Sequence, residues 1–403
     1  MKNFNVKFHK KEDYNRTQGI AIIILLIIVL LTNTIFYVVN YNQKQILKND
    51  ADLASKIGAI HQILENNYLF MEDVPDEQII DGTIKGYVAS LGDPYTRYIS
   101  YKEYEEFATS IAGEFSGIGV TISNDGTNVV PEDGMQIVDL SEGKSAEKAG
   151  IEKNDKIVEV NGQSITGMSL NEAVDMIKGK EGTEVSLKVV KENGETKDVT
   201  VKREKIEYPN VSAEILENNI GYIAITQFTQ KTNEQFDKAY NEIKDQSNSL
   251  IIDLRNNTGG LLPETVDLLG RFLPENSTAV KLQKKNFETE YKTEKQAYSI
   301  DKPIVILTNY YSASASEIFA GAMSDHDKAT IVGLRTYGKG LVQETTKIDD
   351  KSLLIVTIAK YLTPNGNDIN LKGIAPDIEI SQDPSSGEDT QLKRAIEFIK
   401  NGK

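Results

Sequence analysis

The chain is expected to be a multidomain α+β protein: a transmembrane helix, a helical arm, a small β-rich, barrel-like module, and an α/β domain built on a mixed sheet. Three observations predict this. Residues 19–39 form an uncharged apolar run, short alternating runs broken by glycine fill 113–203, and beyond 204 apolar runs alternate with stretches of helical period. At 403 residues, 39% apolar and 26% charged, the chain is long enough for two or three cores. It has no cysteine, so disulfides, thiolate chemistry and Cys-ligated metal sites are excluded. Only His9, His61 and His326 are available, too few for a multi-histidine metal site and few for a Ser-His-Asp triad. A net charge of −15 argues against nucleic acid as a partner.

The first element is read from length and charge. Gly19 to Val39 is 21 residues without a charge, which as a helix spans about 30 Å, the thickness of a bilayer's hydrocarbon. A cleaved signal peptide would have a shorter apolar core and small residues at its exit, whereas this run leaves through FYVVNYNQKQ. Lys2, Lys7, Lys10, Lys11 and Arg16 outweigh Glu12 and Asp13, so residues 1–18 are expected to stay in the cytoplasm and the chain beyond Val39 to lie outside it, anchored once in the cell membrane. The tail's net +3 leaves −18 on the exported part.

Residues 41–112 read as a helical region, with apolar periodicity through ASKIGAIHQILENNYLF and EQIIDGTIKGYVASL, a turn at Gly92-Asp93-Pro94 and a short acidic helix YKEYEEFATS. It carries no catalytic constellation and is expected to pack on a second copy or to prop the rest above the membrane. Over 113–203 the runs SGIGVTIS, MQIVDLS, DKIVEVNG and EVSLKVVKENGETKDVTVKRE read as strands, the last a hairpin about Asn193-Gly194. KSAEKAGIEKNDKIVEVNGQSI, followed by the helix SLNEAVDMIKGKEGT, resembles a PDZ domain. By that resemblance Gly117, Ile118, Gly119 and Val120 form the loop whose amides receive a peptide's terminal carboxylate before the peptide adds as an edge strand.

From 204 to 385 the strands NIGYIAITQF, SLIIDLRNN, PIVILTN, KATIVGL and LLIVTIAKYLTP are interleaved with the helices NEQFDKAYNEIKDQ, PETVDLLGRFL and SASEIFAGAMSDH, the pattern of a sheet covered by helices. Residues 386–403 read as one amphipathic helix.

Three features of this last domain carry chemistry. Ser312-Ala313-Ser314-Ala315-Ser316-Glu317 begins a helix. Ser314 with Glu317 has capping-box spacing, yet a serine there also lies among unpaired amides in a positive dipole field suited to a developing oxyanion. Lys339 stands between Gly338 and Gly340. Such a lysine is ordinarily a solvated turn residue, but the glycines permit close backbone approach, and burial would favour the neutral amine that a base requires. Gln343, four positions on, could orient that amine. Asp253 to Gly260, DLRNNTGG, is a polar turn whose amides make an anion nest; its spacing matches neither phosphate-binding fingerprint. Spacing alone does not choose among the three serines.

SASASEI, the 25 positions from Ser314 to Lys339 in YGKG-x-V-Q, and DLRNNTGG resemble the carboxy-terminal processing peptidases, or tail-specific proteases, with KYLTPNG and GIAPDIEI closing the match over residues 50–380. The resemblance implies a membrane-anchored serine endopeptidase with Ser314 as nucleophile, Lys339 as general base and Gln343 holding the lysine. It implies an oxyanion hole of backbone amides at Gly259, Gly260 and Ala315, and no metal or organic cofactor. Partners implied are protein or peptide substrates with exposed apolar C-termini and a further copy of the chain in a homo-oligomer. Lys178, before Gly179, stands where many relatives carry an arginine tied to coupling between the two domains, and is the regulatory candidate. The alternative is an inactive PDZ scaffold at the membrane.

Overall fold

The computed structural model describes residues 50–123, 126–383 and 385–401, in two compact units divided between Thr83 and Ile84. The expected cytoplasmic tail and transmembrane run, 1–39, lie outside the described residues, among which no helix is long and apolar enough to cross a membrane. In the first unit, residues 50–67 are helical and a 3-10 turn covers Met71–Asp73. Leu53, Ile57, Ile60 and Leu64, spaced along one side of that helix, are exposed.

The second unit holds the β-rich module and the α/β domain. The module is a six-stranded antiparallel sheet in the order 120–122, 135–140, 156–160, 184–190, 196–202, with the short strand Gln163–Ser164 also paired to 156–160, over a core that includes Ile118, Met135, Ile157 and Leu187. The Asn193-Gly194 hairpin forms as its turn chemistry requires, pairing Val190 with Thr196. Strand Val120–Ile122 is at the sheet's edge, so its outer side has no strand partner among the described residues. Glu114–Gly117 and Glu204–Glu207 pair as the strands by which the chain enters and leaves the module.

The α/β domain is organised by a six-stranded sheet in the order 211–216, 220–225, 249–253, 304–308, 330–333, 378–379, antiparallel only at its first pair. Strands Ser249–Asp253 and Ile304–Thr308 are buried at every position because both faces are covered, which explains their unbroken apolar runs. Helices Thr232–Ile243, Leu262–Leu269 and Ala315–Asp325 contribute to the larger core on one face. Helix Thr390–Asn401 covers the other, setting Ala395 among Ile251, Val305 and Val332. A second, antiparallel sheet joins Thr278–Lys284, Glu288–Lys292, Leu341–Asp349 and Ser352–Leu362 with the three-residue strand Arg97–Ile99. That strand follows the Gly92-Asp93-Pro94 turn after Tyr95 and Thr96.

Candidate functional site

Three adjacent parallel strands end side by side, and the turn leaving each carboxyl end carries one of the three features singled out above. Residues 254–260 follow Ser249–Asp253, 309–314 follow Ile304–Thr308, and 334–340 follow Thr330–Gly333. Carboxyl ends of parallel strands are where open α/β sheets place their sites.

The serines separate by environment. Ser312 is fully buried, its Oγ donating to Leu254 O at 2.8 Å and accepting from Asn309 N at 3.0 Å. Ser316 is equally buried and donates to Asn257 O at 2.9 Å. Both hydroxyls fasten the serine turn to the glycine turn. Ser314 is only partly buried and adopts φ 54°, ψ −113°, a region that costs a non-glycine residue about 1–3 kcal/mol. Such a turn between strand and helix thrusts one side chain clear of the sheet, as in a nucleophile elbow.

Gly259 lets the glycine turn approach that serine. At φ 107°, a Cβ there would lie 2.8 Å from Ser314 Cβ and 2.9 Å from Ala315 N. Of the three amides expected to hold an oxyanion, that of Gly259 already donates to Asn257 Oδ1 at 2.9 Å. Gly260 N–H has no acceptor among the described residues, and Ala315, first in its helix, has no acceptor within the helix. These two remain to meet an anion.

Glu317 is the residue that sequence reasoning noticed only as a helix cap. Its carboxylate is completely buried and accepts five hydrogen bonds: from Ser314 N at 2.9 Å, Thr336 Oγ1 at 2.6 Å, Gly338 N at 2.7 Å, Lys339 N at 2.9 Å and Tyr361 OH at 3.3 Å. One side chain thus ties the serine turn to the lysine turn. The capping-box spacing pointed to Glu317; its reach to residues 336–339 had no local signal.

The glycines about Lys339 are required by packing. A Cβ on Gly338 would come within 2.9 Å of the Lys372 and Gly373 amides, and one on Gly340 within 2.6 Å of Asn370 N. Lys339 itself is half-buried, and burial pushes its amine below the usual lysine range, helped by the like charge of Arg97 and opposed by Glu317 and Asp93. Its Nζ lies 4.8 Å from the centre of the Tyr95 ring. Gln343 sits at a bulge between Val342 and Gln343, where strands re-aim side chains. Its Nε2 donates to Thr357 Oγ1 at 3.3 Å, which leaves the carbonyl oxygen as the end able to accept from an amine.

In the β-rich module, Ile118 and Gly119 turn their carbonyls inward, accepting from Ala146 N and Ser141 N at 2.9 Å each. Gly117, Ile118 and Gly119 are buried and Val120 begins the edge strand. Lys178 Nζ lies 5.6 Å from the ring centre of Phe115, which packs 4.6 Å from that of Tyr208. Lys178 therefore stands over the paired strands joining the module to the α/β domain.

Comparison with known proteins gives a consistent picture. Residues 219–380 match peptidase family S41, residues 109–190 the PDZ domain, and residues 36–103 the N-terminal domain of the activating protease CtpB. The chain is 36% identical over 399 residues to a CtpA-like serine protease of Staphylococcus aureus strain COL, covering 98% of this chain and 77% of that one. It is 34% identical over 378 residues to a CtpA-like serine protease of Staphylococcus saprophyticus, covering 93% and 75%. The crystal structure of an S41 protease from Bacteroides fragilis matches 85% of this chain and 97% of its own, with a TM-score of 0.52 and 18% identity, a likeness of fold.

Proposed function

The chain belongs to the CtpA-like, carboxy-terminal processing serine peptidases of family S41 that carry a PDZ domain, and we propose that it is a membrane-anchored endopeptidase that grips substrate tails and cleaves them with Ser314 and Lys339. The single observation carrying this is the division among the three serines. Ser312 and Ser316 are buried and hydrogen-bonded into the scaffold, while Ser314 stands at the strained turn against Gly259, one residue before the Ala315 amide.

In the reaction, the neutral Lys339 amine takes the Ser314 hydroxyl proton as Oγ adds to the scissile carbonyl carbon. The negative charge that develops on the carbonyl oxygen is met by the amides of Gly260 and Ala315 at the positive end of the helix. Collapse breaks the C–N bond, and the leaving amine takes the proton back from Lys339. Water, deprotonated by the same lysine, then hydrolyses the acyl ester and restores Ser314. Gln343, held through its amide nitrogen, orients the lysine by its carbonyl oxygen.

Substrate enters as a tail whose carboxylate meets the amides of 117–120 and whose backbone extends the edge strand Val120–Ile122. Lys178, over the Phe115 ring that packs on Tyr208, couples tail binding to the peptidase domain in this reading. The apolar run 19–39 anchors the protein with its catalytic part outside the cytoplasm, and the exposed apolar side of helix 50–67 supports association with a second copy.

The test is cleavage of an unfolded protein with an apolar C-terminus by the full-length enzyme in detergent, beside Ser314→Ala, Ser312→Ala and Lys339→Ala. Loss of turnover in the Ser314 and Lys339 variants is expected. Continued cleavage by Ser314→Ala would remove the nucleophile assignment.

A further inference from the structure

The group lying over Lys339 comes from none of the three turns that meet at the strand ends. Tyr95 belongs to the short turn before strand Arg97–Ile99, more than 200 residues earlier in the chain. We propose that residues 93–97 are a fourth part of the catalytic site, in which Tyr95 is a positioning residue that seats and shields the Lys339 amine while Thr96 fixes Gln343 through Thr357. The inference rests on Lys339 being the base.

The turn is rigid enough for this role. Asp93 accepts from Tyr95 N at 3.0 Å and Thr96 Oγ1 at 2.5 Å, an Asx-type closure reinforced by Pro94. Thr96 is buried, and its Oγ1 accepts from Thr357 N at 3.1 Å. The Thr357 hydroxyl in turn accepts from Gln343 Nε2 at 3.3 Å. Pairing of Arg97 with Ile355 and Tyr98 with Leu354 locks the turn to the strand that carries Thr357. One five-residue segment therefore reaches both the base and the residue expected to orient it.

The electrostatics agree with that placement. The charged and titratable groups facing Lys339 are Arg97 and Asp93 from this turn, Glu317 from the nucleophile helix, and Tyr95, itself flanked by Tyr337. A ring over an amine acts in two opposed ways: its face attracts the cation, and its bulk excludes water, which favours the neutral form. Burial is the largest influence on Lys339 and lowers its proton affinity, the direction that exclusion of water by the ring also favours.

The experiment is the rate at which a fluorophosphonate probe labels the full-length protein as a function of pH. This reads Ser314 nucleophilicity without tail docking. Labelling of the wild type should rise with pH through the lysine's titration. In Tyr95→Leu the rate near neutrality should fall roughly tenfold or more, with the limb displaced to higher pH as water reaches the amine. Tyr95→Phe, which keeps the ring, should return the limb to its wild-type position. A limb unmoved in Tyr95→Leu, or a Phe variant as impaired as the Leu variant, would overturn the proposal. Lys339→Ala separates the two levels: if it labels like wild type, the base assignment has failed, whereas an inert Lys339→Ala with an unmoved Tyr95→Leu limb refutes only the role of the turn. Should Tyr95→Leu not fold, Arg97→Gln reads the same point at an exposed position. Removing that like charge moves the limb to higher pH if the turn faces Lys339, and an unchanged limb counts against it.

Discussion

Glu317 shows how one buried charge can hold a site together. Five donors converge on it, three of them backbone amides, so it is satisfied without a salt bridge among the described residues. A glutamine in its place would turn an NH2 group toward donors that now meet oxygen. Glu317→Gln is expected to lower stability by about 2–4 kcal/mol, and turnover by about 100-fold or more as Ser314 and Lys339 lose their common tether; chemical denaturation and single-turnover kinetics would measure the two losses. Lys339 is a converse case, since its folded-state titration lies below that of the free side chain, with burial as the first cause. At pH values below that titration the protonated lysine is a cost to folding, and the cost is relieved as pH rises toward the ordinary lysine value of about 10.4. Lys339→Met should therefore abolish cleavage yet raise the melting temperature at neutral pH, with the advantage shrinking in alkaline buffer; a variant less stable than wild type at pH 7 would contradict this. Serine choice is also a residue-scale matter. The SASAS run could not reveal which hydroxyl is free for chemistry, because Leu254 O and Asn257 O, which engage Ser312 and Ser316, belong to a turn some 60 residues away.

At the scale of elements, the C-terminal helix is fastened to the glycine turn. Arg255 bonds Asp253 on the strand end and reaches Asp389 Oδ1 and Oδ2 at 2.8 Å each, just before helix Thr390–Asn401. Removing the arginine leaves two carboxylates facing each other without a cation, Asp253 almost wholly buried. Arg255→Ala should cost about 3–5 kcal/mol and release the helix, seen as new proteolytic cleavage after 388; an unchanged melting temperature would sink this account. The edge strand of the PDZ domain invites a gentler test. Gly119 O and Ser123 N pair inward, so the alternate residues Val120 and Ile122 present their backbone groups outward. Val120→Pro removes one outward N–H and should weaken cleavage of tail-bearing substrates about tenfold, while probe labelling of Ser314 stays as in wild type. Several elements were legible because periodicity and turn chemistry are local: the Asn193-Gly194 hairpin, the buried parallel strands and the closing amphipathic helix. The strand Arg97–Ile99 and the hairpin of Thr278–Lys284 with Glu288–Lys292 were not. The first has three residues, too few to display a period. The second breaks the alternation, with Ala279 and Val280 adjacent and both buried in its first strand and Tyr291 the lone apolar residue of its second, so its strand character comes from neighbours in the second sheet.

At the scale of the whole molecule, the sequence carried the order of the matched regions, and what it left out was where distant turns meet. DLRNNTGG, SASAS and YGKG were each visible, but nothing local says that one carboxylate joins the last two or that Tyr95 covers Lys339. The boundary drawn at 204 also met a longer-range fact, for Glu204–Glu207 pairs with Glu114–Gly117 and so closes the neck of the PDZ domain. On the docking proposed above, a tail held by its carboxylate at 117–120 would run along the edge strand before its scissile bond reaches Ser314. In that docking, recognition of the free carboxylate and chemistry at Ser314 are separate contacts on one chain, which can be uncoupled in the substrate. Amidating the C-terminus of a peptide removes the charge that the loop amides receive and leaves every residue near the scissile bond unchanged. Cleavage of the amide should show a KM raised roughly 10–100-fold at little change in kcat, and the difference between acid and amide should persist in high salt, since backbone amides rather than surface cations make the contact. Equal KM values for acid and amide would mean that the PDZ domain reads something other than the chain end.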